Sequence, residues 1–294
     1  MDTIFVTGGS SSLGSSVIRG LLPGFRILAS THRSSLMTAD DRLELLQGGL
    51  EKCRDHASSI QTAQVIVHLA AVTHSDDESH YFHVNHELTC RLLEVCRPEQ
   101  HFVLVSSQCA HPQGGPYGRS KWLAEEAVRS SGLPHTILRP SEIYGSTGME
   151  GIDALIAFAR KRHLMVDFRD DGHPVRYSPV SLDEVAACIV KSATFPVSSS
   201  EPYALCNDLA WTASEMAVAL RKSIRPLAIV PVPVRLLRGV ARLRIPLPFK
   251  LDQLDRLTIP KTQDNSPAKR DFGFHPRSFL SYLAETASPN CIEF

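Results

Sequence analysis

A tyrosine and a lysine in the run YGRSK, Tyr117 and Lys121, have the side-chain types and the spacing for proton transfer. Residues four apart lie on one face of a helix, so the lysine ammonium can approach the phenol. A phenol has a pKa near 10, and a neighbouring positive charge lowers that pKa by favouring the phenolate. The pair could therefore move a proton at neutral pH. A tyrosine and a lysine at this spacing also occur on ordinary helix surfaces, so position has to decide between the two interpretations.

The position of the pair in the sequence favours the interpretation as a proton-transfer site. It follows closely after the apolar run HFVLVSS, which ends in Ser106 and Ser107. If that run is a strand of a parallel sheet, both serines lie at the carboxyl edge, where ligands of such sheets bind. We therefore expect the proton-moving pair and the two hydroxyls at one site.

A glycine turn at residues 6–14, VTGGSSSLG, comes directly after the first apolar run. A strand, a glycine turn and a helix N-terminus together present backbone N–H groups and a positive dipole end to a pyrophosphate. Gly8 and Gly14 occupy the outer glycine positions of the pattern GxxGxxG, and Ser11 occupies the middle one. The serine hydroxyl could turn aside and donate to phosphate. We therefore expect the turn to bind a dinucleotide more weakly or in an altered geometry, but not to lose binding. By itself, the turn is equally consistent with an ordinary strand–turn–helix connection.

Short apolar runs alternate with helical patterns over the first half of the chain. The helical patterns cover residues 12–22, 38–46, 85–97 and 117–131. This alternation predicts a parallel sheet with helices on both faces, a Rossmann-type doubly wound α/β fold. The runs are continuously apolar, as expected for strands covered on both faces. They are TIFVTG, RILAST, QVIVHLAA, HFVLVSS and HTILRP.

The second half has a looser pattern and predicts a smaller, irregular lobe. We assign residues 1–145 to a dinucleotide-binding domain and 146–294 to a substrate-binding lobe. The segment at about 175–210 could return to the sheet of the first domain. Capping boxes in the runs SLDE (181–184) and TASE (212–215) each predict the start of a helix. A basic stretch follows at 221–261. It has three interpretations: a solvated helix face, a diphosphate contact or a membrane-surface helix.

The composition indicates a protein that binds small molecules in a reducing compartment. Basic and acidic residues balance at 31 each, so no net charge attracts nucleic acid. The 7 cysteines are odd in number and lack CxxC spacing, which predicts reduced thiols and a cytoplasmic location. No uncharged apolar run approaches the roughly 20 residues of a membrane span, and no signal-peptide pattern opens the chain. Histidines at 74–86 lie near acidic residues but lack a metal-ligand spacing, so we expect no metal.

Taken together, the motifs resemble those of an extended short-chain dehydrogenase/reductase of the NAD-dependent epimerase/dehydratase family. The resemblance extends over nearly the whole chain, and the combination of motifs is specific although each motif alone is not. It implies a Rossmann domain, a nicotinamide cofactor and a C-terminal lobe that usually holds a nucleotide sugar. The matching stretches are TGGSSSLG, VIVHLAA, Asn85 of FHVNHELTCRLLEVC, VSS, YGRSK, LRPSEIYG, RYSPVSLDEVA and RDFGFHPRSF.

The resemblance also implies roles for individual residues. Tyr117 matches the catalytic acid/base of the family, Lys121 the lysine that also binds the nicotinamide ribose, and Ser107 the residue that holds the reacting oxygen. Arg176 matches an arginine often found near the substrate diphosphate. The predicted cofactor residues are Gly8, Ser10, Ser11, Ser12, Leu13, Gly14, His32, Arg33, Leu69, Ala70, Ala71, Tyr117, Lys121 and Pro140. The predicted substrate residues are Gln108, Glu142 and Arg176.

Departures from the family pattern narrow the predicted reaction. Gln108 and Cys109 stand where sugar dehydratases of the family have an Asp–Glu pair, which disfavours dehydration. Glu142 replaces a frequent asparagine, so we expect a different sugar-facing surface. No carboxylate follows the run RILAST to bind the adenosine ribose, while His32 and Arg33 could meet a 2′-phosphate. We therefore expect NADP as cofactor, with NAD as the alternative; a solvated loop arginine is the other interpretation of Arg33.

Three functions stay open at this point. The favoured one is an NAD(P)-dependent keto reductase that acts on a small molecule, expected to be a nucleotide sugar. A nucleotide-sugar 4-epimerase would use the same residues but return the hydride to the opposite face of the carbon. A non-catalytic NADP-binding sensor or scaffold would need no proton-moving pair, so Ser107, Tyr117 and Lys121 argue against it. A homodimer is compatible with each function.

Overall fold

Seven parallel strands form the central sheet of this computed structural model, which describes residues 2–31, 40–145, 151–221, 224–242, 251–259 and 263–286. In chain order the strands are β1 (Thr3–Thr7), β2 (Arg26–Thr31), β3 (Leu43–Gln47), β4 (Val65–His68), β5 (His101–Val105), β6 (His135–Pro140) and β12 (Tyr203–Leu205). Across the sheet they run β12-β6-β5-β4-β1-β2-β3, and every neighbouring pair is parallel. The central strands are buried on both faces, which is why they read as continuous apolar runs. The predicted doubly wound parallel sheet is confirmed.

Helices cover both faces of this sheet. One face packs against α1 (Ser12–Leu21), α7 (Leu182–Thr194) and α11 (Ser266–Phe272), which share one apolar core with the strands. The other face packs against α2 (Ala57–Ile60), α4 (Leu88–Val95) and α5 (Gly115–Ser130), which share a second core. Upstream, α4 continues through a π-helical turn (His83–Glu87) into α3 (Glu78–Phe82). A single turn of 3₁₀ helix (Leu50–Lys52) lies between β3 and α2.

The later part of the chain builds a third core. It lies among α6 (Gly151–Arg162), α8 (Ala213–Leu220), α12 (Phe279–Thr286) and a small sheet. That sheet has the order β14 (Ala228–Pro233), β8 (Leu164–Asp170), β9 (His173–Pro174). Two further helices, α9 (Val234–Arg242) and α10 (Leu251–Leu257), follow β14 along the chain. Two short strand pairs complete this part: β7 (Ile143–Tyr144) with β11 (Val180–Ser181), and β10 (Arg176–Tyr177) with β13 (Trp211–Thr212).

Local sequence signals place most of the predicted helices correctly. The capping boxes are both present: Ser181 N–H donates to Glu184, and Thr212 Oγ1 accepts from the N–H of Glu215 at 3.1 Å. The helix predicted from residue 85 begins earlier, at Glu78, because Asp77 caps it by accepting from the N–H of Ser79.

The predicted helix over 38–46 is wrong in the part that the structure describes. Residues 43–47 form β3, an edge strand that pairs in parallel with β2 from Ile27↔Leu43 to Thr31↔Gln47. Leu45 packs on the core of one sheet face and Leu46 on the core of the other, which is the alternation of a strand. The leucine spacing is ambiguous over so short a run, and pairing with the open edge of β2 decides it.

Some features are absent from the described residues. No helix among them is both long and apolar enough to cross a membrane. Of the 7 cysteines, six lie in the described ranges, and these six are all free thiols. No three His, Cys, Asp or Glu side chains in those ranges gather as a group that could hold a metal ion.

Candidate active site

The turn between β1 and α1 requires its two glycines. Gly8 has a φ of +70°, and a Cβ there would lie 2.7 Å from the backbone nitrogen of Ala70. A Cβ on Gly14 would lie 2.2 Å from the carbonyl oxygen of Gly8. Both distances are too short for a side chain, so the glycines let α1 begin directly against the ends of β1 and β4.

Ser11 fills the middle position of the pattern by capping α1. Its hydroxyl oxygen accepts the N–H of Gly14 at 3.0 Å, and the hydroxyl donates to the carbonyl of Gly8 at 2.9 Å. The backbone of Ser11 is extended, with a φ of −74°, so no glycine is needed there. A hydrogen bond from this hydroxyl to phosphate stays a prediction. Of the other predicted turn residues, Ser10 is exposed, Ser12 opens the helix and Leu13 packs against the core.

A buried histidine holds the end of β4 against the turn. The amides of Leu69 and Ala70 both donate to Thr7 Oγ1 at 3.1 Å, so the Thr7 hydroxyl donates its own proton to His68 Nδ1 at 2.7 Å. His68 Nε2 then carries the proton and donates to Thr89 Oγ1 at 2.8 Å, which assigns the neutral tautomer from the network. Burial, helped by the charge of Lys121, lowers the pKa of His68 to about 3.

The loop after β4 is fixed by Asn85, the asparagine of the sequence motif. Its side chain accepts the N–H of Val72 at 2.7 Å and donates to the Val72 carbonyl at 3.0 Å. It also donates to Ser120 Oγ on α5 at 2.9 Å. Asn85 lies in the π-helical turn, a distortion that often occurs at functional sites. The half-buried predicted cofactor residues Leu69, Ala70 and Ala71 are thereby held beside the glycine turn.

Lys121 is buried at the carboxyl end of β5. Its ammonium donates to the carbonyl of Val105 at 2.8 Å, and the residue is 3% exposed. Burial lowers the pKa of Lys121 from 10.5 to about 8, although the carboxylate of Glu125 opposes that shift. The lysine is thus fixed close to the first serine after β5.

Glu125, one turn further along α5, joins the ends of two strands. It is fully buried and accepts a hydrogen bond from Ser106 Oγ at 2.5 Å. Arg139 of β6 binds the same carboxylate through two nitrogens, at 2.8 and 2.6 Å, and Arg129 adds a second ion pair at 3.0 Å. The buried charge is therefore compensated, and β5, β6 and α5 are held in one arrangement.

Tyr117 lies on the same face of α5 and packs in a small aromatic cluster. It is 8% exposed and contacts Tyr81, edge to face with 6.1 Å between ring centroids, and Cys109. Ser107 Oγ accepts the N–H of Cys109 at 3.1 Å. Lys121 therefore contacts the residue two before Ser107, and Tyr117 the residue two after it. The three predicted catalytic residues are brought together at the carboxyl end of β5.

A close approach of α5 to this loop explains the glycine within YGRSK. A Cβ on Gly118 would lie 2.3 Å from the carbonyl oxygen of Cys109. Any side chain there would push α5, and with it Tyr117 and Lys121, away from the end of β5.

Comparison with known proteins decides the family. The model of the NAD dependent epimerase/dehydratase family matches residues 4–203, which is more than half of the chain. The chain belongs to this family. Its structure is similar to the crystal structure of UDP-glucuronic acid 4-epimerase from Bacillus cereus in complex with UDP-glucuronic acid and NAD. The TM-score is 0.73 at 17% identity, with 96% of each chain covered. At that identity the likeness shows the shared fold.

Two curated proteins are similar in sequence to this member of the family. Protein TIC 62, chloroplastic, of Oryza sativa subsp. japonica is 28% identical over 224 residues, 65% of this chain and 44% of that protein. Ceramide reductase of Caulobacter vibrioides is 27% identical over 199 residues, 66% of this chain and 62% of that protein. Each match spans less than two thirds of the relative's own length.

Gln108, a residue that the sequence predicts for the substrate site, has its side chain buried at the end of β5. Its backbone N–H donates to the carbonyl of Pro140, a predicted cofactor residue at the end of β6, at 3.0 Å. The side chain is 1% exposed, and neither Oε1 nor Nε2 has a hydrogen bond to a nitrogen or oxygen atom of the described residues. The Cys206 thiol interacts with this amide, and a buried amide without a stronger partner carries a cost in stability.

The other predicted residues lie in different surroundings. Glu142 accepts the N–H of Ser178 at 3.4 Å, between β6 and β7. Arg176 is exposed on β10 and donates to the carbonyl of Ala210 at 2.5 Å, with Glu215 at 3.7 Å. The predicted 2′-phosphate residues His32 and Arg33 lie outside the described residues.

Sequence reasoning missed several parts of the site. The Thr7–His68 network and the Glu125–Arg139 pair join side chains that are distant in sequence, and no local pattern marks them. Arg256 of α10 is the largest omission, since its guanidinium lies over the ring of Tyr117. Its only signal is its place in the basic stretch at 221–261, and none of the three interpretations of that stretch includes a contact with Tyr117.

Proposed function

We propose that this chain is an NAD(P)-dependent oxidoreductase that interconverts a hydroxyl and a carbonyl at one carbon, with net keto reduction as the favoured direction. The observation that carries the proposal is that Lys121 binds Val105 and Tyr117 packs with Cys109, the residues two before and two after Ser107. A binding module would have no need of a buried lysine at this place, because the charge costs stability.

The turn fits a nicotinamide dinucleotide. Gly8 and Gly14 let α1 begin directly against the ends of β1 and β4, and the N–H groups at the N-terminus of α1 are the groups that would bind a pyrophosphate. Residues 10–14 would hold the phosphates, and residues 69–71 and Pro140 would line the remainder of the cofactor. NADP stays a sequence-based proposal resting on His32 and Arg33. NAD is the ligand named for the Bacillus cereus epimerase structure.

The residues of this chain have separable tasks in the proposed reaction. A bound nicotinamide supplies or accepts the hydride at the reacting carbon. Tyr117 gives its proton to the carbonyl oxygen during reduction and takes it back during oxidation. Ser107 donates a hydrogen bond to that oxygen, and Lys121 supports the phenolate electrostatically and binds the nicotinamide ribose.

Two features favour reduction over other outcomes. Gln108 and Cys109 provide no carboxylic acid and no carboxylate base beside the reacting carbon, so elimination of water has no support. One curated relative is named as a reductase, although the match covers 62% of it. A 4-epimerase is the second candidate, since the Bacillus cereus neighbour has that activity in its name.

A small-molecule substrate is proposed, with nucleotide sugars first because the neighbour binds UDP-glucuronic acid. Residues 1–145 would hold the cofactor and 146–294 most of the substrate, with Gln108, Glu142 and Arg176 as contacts. Cytoplasmic location and a homodimer stay predictions.

The test begins with cofactor binding. Calorimetry with NADPH, NADP, NADH and NAD should show binding, and Arg33→Ala should weaken NADP(H) selectively. Oxidation of the reduced cofactor is then followed with UDP-linked keto sugars and with a keto-lipid panel. Epimerisation of UDP-linked sugars is followed by chromatography. Tyr117→Phe is the matched control, expected to bind cofactor normally and to lose at least about a hundredfold in turnover. Absence of dinucleotide binding would contradict both the enzyme and the sensor functions.

A further inference from the structure

Arg256 of α10 stacks on the proposed catalytic phenol. The guanidinium carbon lies 3.9 Å from the ring centroid of Tyr117 and 5.9 Å from that of Tyr81. Nη2 of Arg256 donates to the carbonyl of Thr73 at 2.6 Å, in the loop after β4. A cation from the later part of the chain is therefore held against the ring whose proton the reaction uses.

The surrounding contacts fix this cation in place. The neighbouring Asp255 forms an ion pair with Arg238 of α9 at 2.9 Å. Gly115, with a φ of +67°, lets α10 approach the start of α5 closely, since a Cβ there would lie 3.0 Å from Cβ of Asp255. The helix is thus seated on α5 two residues before Tyr117, and Arg256 has little freedom to leave the ring.

We propose that Arg256 is a positioning residue that makes Tyr117 a stronger acid, an inference that rests on the proposed function. During reduction Tyr117 gives its proton to the carbonyl oxygen while a hydride arrives at the carbon, and a phenolate remains. The negative charge of a phenolate spreads into the ring, so a cation over the ring face stabilises it more than it stabilises the phenol. Arg256 keeps its proton throughout, because guanidinium does not deprotonate in proteins.

Other charged groups also affect how readily Tyr117 loses its proton. Lys121 favours the phenolate from one turn along α5, while its ammonium is anchored on Val105. The carboxylate of Asp255 disfavours the phenolate, but Arg238 offsets its charge. Of the described titratable and charged groups, Tyr81, Cys109 and Arg256 pack around Tyr117, Lys121 lies one turn along α5 and Asp255 lies next to Arg256. The elements packed here also carry Glu78 and His80 on α3 and Arg119, Glu125, Glu126 and Arg129 on α5.

A pH titration of tyrosinate absorbance tests the proposal without a substrate. Burial raises the pKa of four of the 6 tyrosines, Tyr144, Tyr177, Tyr203 and Tyr282. Tyr81 and Tyr117 both lie against Arg256, so the titration of Tyr117 has to be separated from that of Tyr81. Subtracting the curve of the matching Tyr117→Phe protein, made in each Arg256 background, isolates Tyr117. We expect Arg256→Gln to move its midpoint up by about one pH unit, and Arg256→Lys to restore part of the shift.

A matched variant separates the charge of Arg256 from the seating of α10. Arg238→Gln removes the ion pair that α9 makes with Asp255 of α10 and leaves Arg256 in place. Because it also uncovers the Asp255 carboxylate, it should raise the midpoint, but by clearly less than Arg256→Gln does. Equal midpoints in wild type and Arg256→Gln would overturn the proposal. So would an equal shift in Arg238→Gln, or an Arg256→Lys midpoint no lower than that of Arg256→Gln.

Turnover separates this proposal from the proposed function. If wild type reduces a substrate, Arg256→Gln should lower kcat about tenfold near pH 7 with KM within about twofold, and the pH profile should move with the titration. A shifted titration without any turnover in wild type would support the role of Arg256 and contradict the oxidoreductase. Turnover in wild type together with an unshifted titration in Arg256→Gln would support the oxidoreductase and contradict the role of Arg256.

Discussion

The ammonium of Lys121 donates a hydrogen bond to the carbonyl of Val105 over 2.8 Å, inside the protein. The contact anchors the charge at the end of β5, two residues before Ser107. It also places an ammonium where burial lowers its pKa to about 8. The site therefore keeps a charge that opposes folding at neutral pH.

Lys121→Met should abolish turnover yet favour the fold at neutral pH. The folded pKa of about 8 lies below the ordinary 10.5, so the folded protein binds fewer protons than the unfolded chain between these values. The cost of the charge is fully present below pH 8 and disappears as pH rises to 10.5. The stability of the variant relative to wild type should thus fall by about 3 kcal/mol between pH 7 and pH 10.5. Urea unfolding at both pH values measures this, with the exposed Lys161→Met as control. A difference that is constant with pH would contradict the buried charge.

His68→Asn should reduce the amount by which the free energy of unfolding falls in acid. The folded pKa of about 3 lies below the ordinary 6.5, so protonation destabilises the fold as pH falls through this window and has no effect above it. Asparagine can still accept from Thr7 but cannot ionise. The loss of stability between pH 7 and pH 5 should be smaller by about 2 kcal/mol in the variant, measured by urea unfolding. The exposed His74→Asn should follow wild type. His101 is buried on β5 and has a pKa of about 4, so its protonation should also destabilise the fold as pH falls.

Ser11 variants separate helix capping from phosphate binding. Ser11→Ala removes the cap of α1 and should cost about 1 kcal/mol, whereas Ser11→Gly should cost a few tenths. Ser11→Gly should keep or tighten dinucleotide binding, since Gly8, Gly14 and the helix N-terminus remain. Thermal unfolding and calorimetry measure the two effects. Loss of binding in Ser11→Gly would mean that the hydroxyl itself binds phosphate. Gly14→Ala should be far worse than either, because its methyl group would lie 2.2 Å from the Gly8 oxygen.

Gln108→Leu should keep or raise the free energy of unfolding while it impairs the proposed reaction. The carboxamide is 1% exposed, and among the described residues the Cys206 thiol is the partner it interacts with, so an apolar replacement of similar size removes a cost of about 1 to 3 kcal/mol. Gln100 is the matched control, since it is also 1% exposed but donates to Ile60 and Ala63 and accepts from Arg97. Gln100→Leu should therefore destabilise the fold. If the carboxamide of Gln108 binds substrate, KM should rise in Gln108→Leu. An unchanged KM and kcat would remove Gln108 from the substrate site.

The elements that depend on local pattern were predictable from the sequence. The apolar runs of β1, β2, β4, β5 and β6, the glycine turn and the two capping boxes each carry their signal within a few residues. The spacing of Tyr117 and Lys121 also places both on one helix face without further information. The failure at residues 43–47 has the same origin, because a short leucine-rich run does not distinguish a helix from an edge strand.

Tertiary structure decided what stands around those residues. Arg139 neutralises Glu125 and Arg256 covers Tyr117, and neither contact joins positions that share a local pattern. The buried carboxamide of Gln108 is likewise visible only when the ends of β5, β6 and β12 are assembled. A sequence determines which side chains are available for chemistry. Their burial, and hence the pKa of Lys121 and His68, depends on which distant segments exclude water from them.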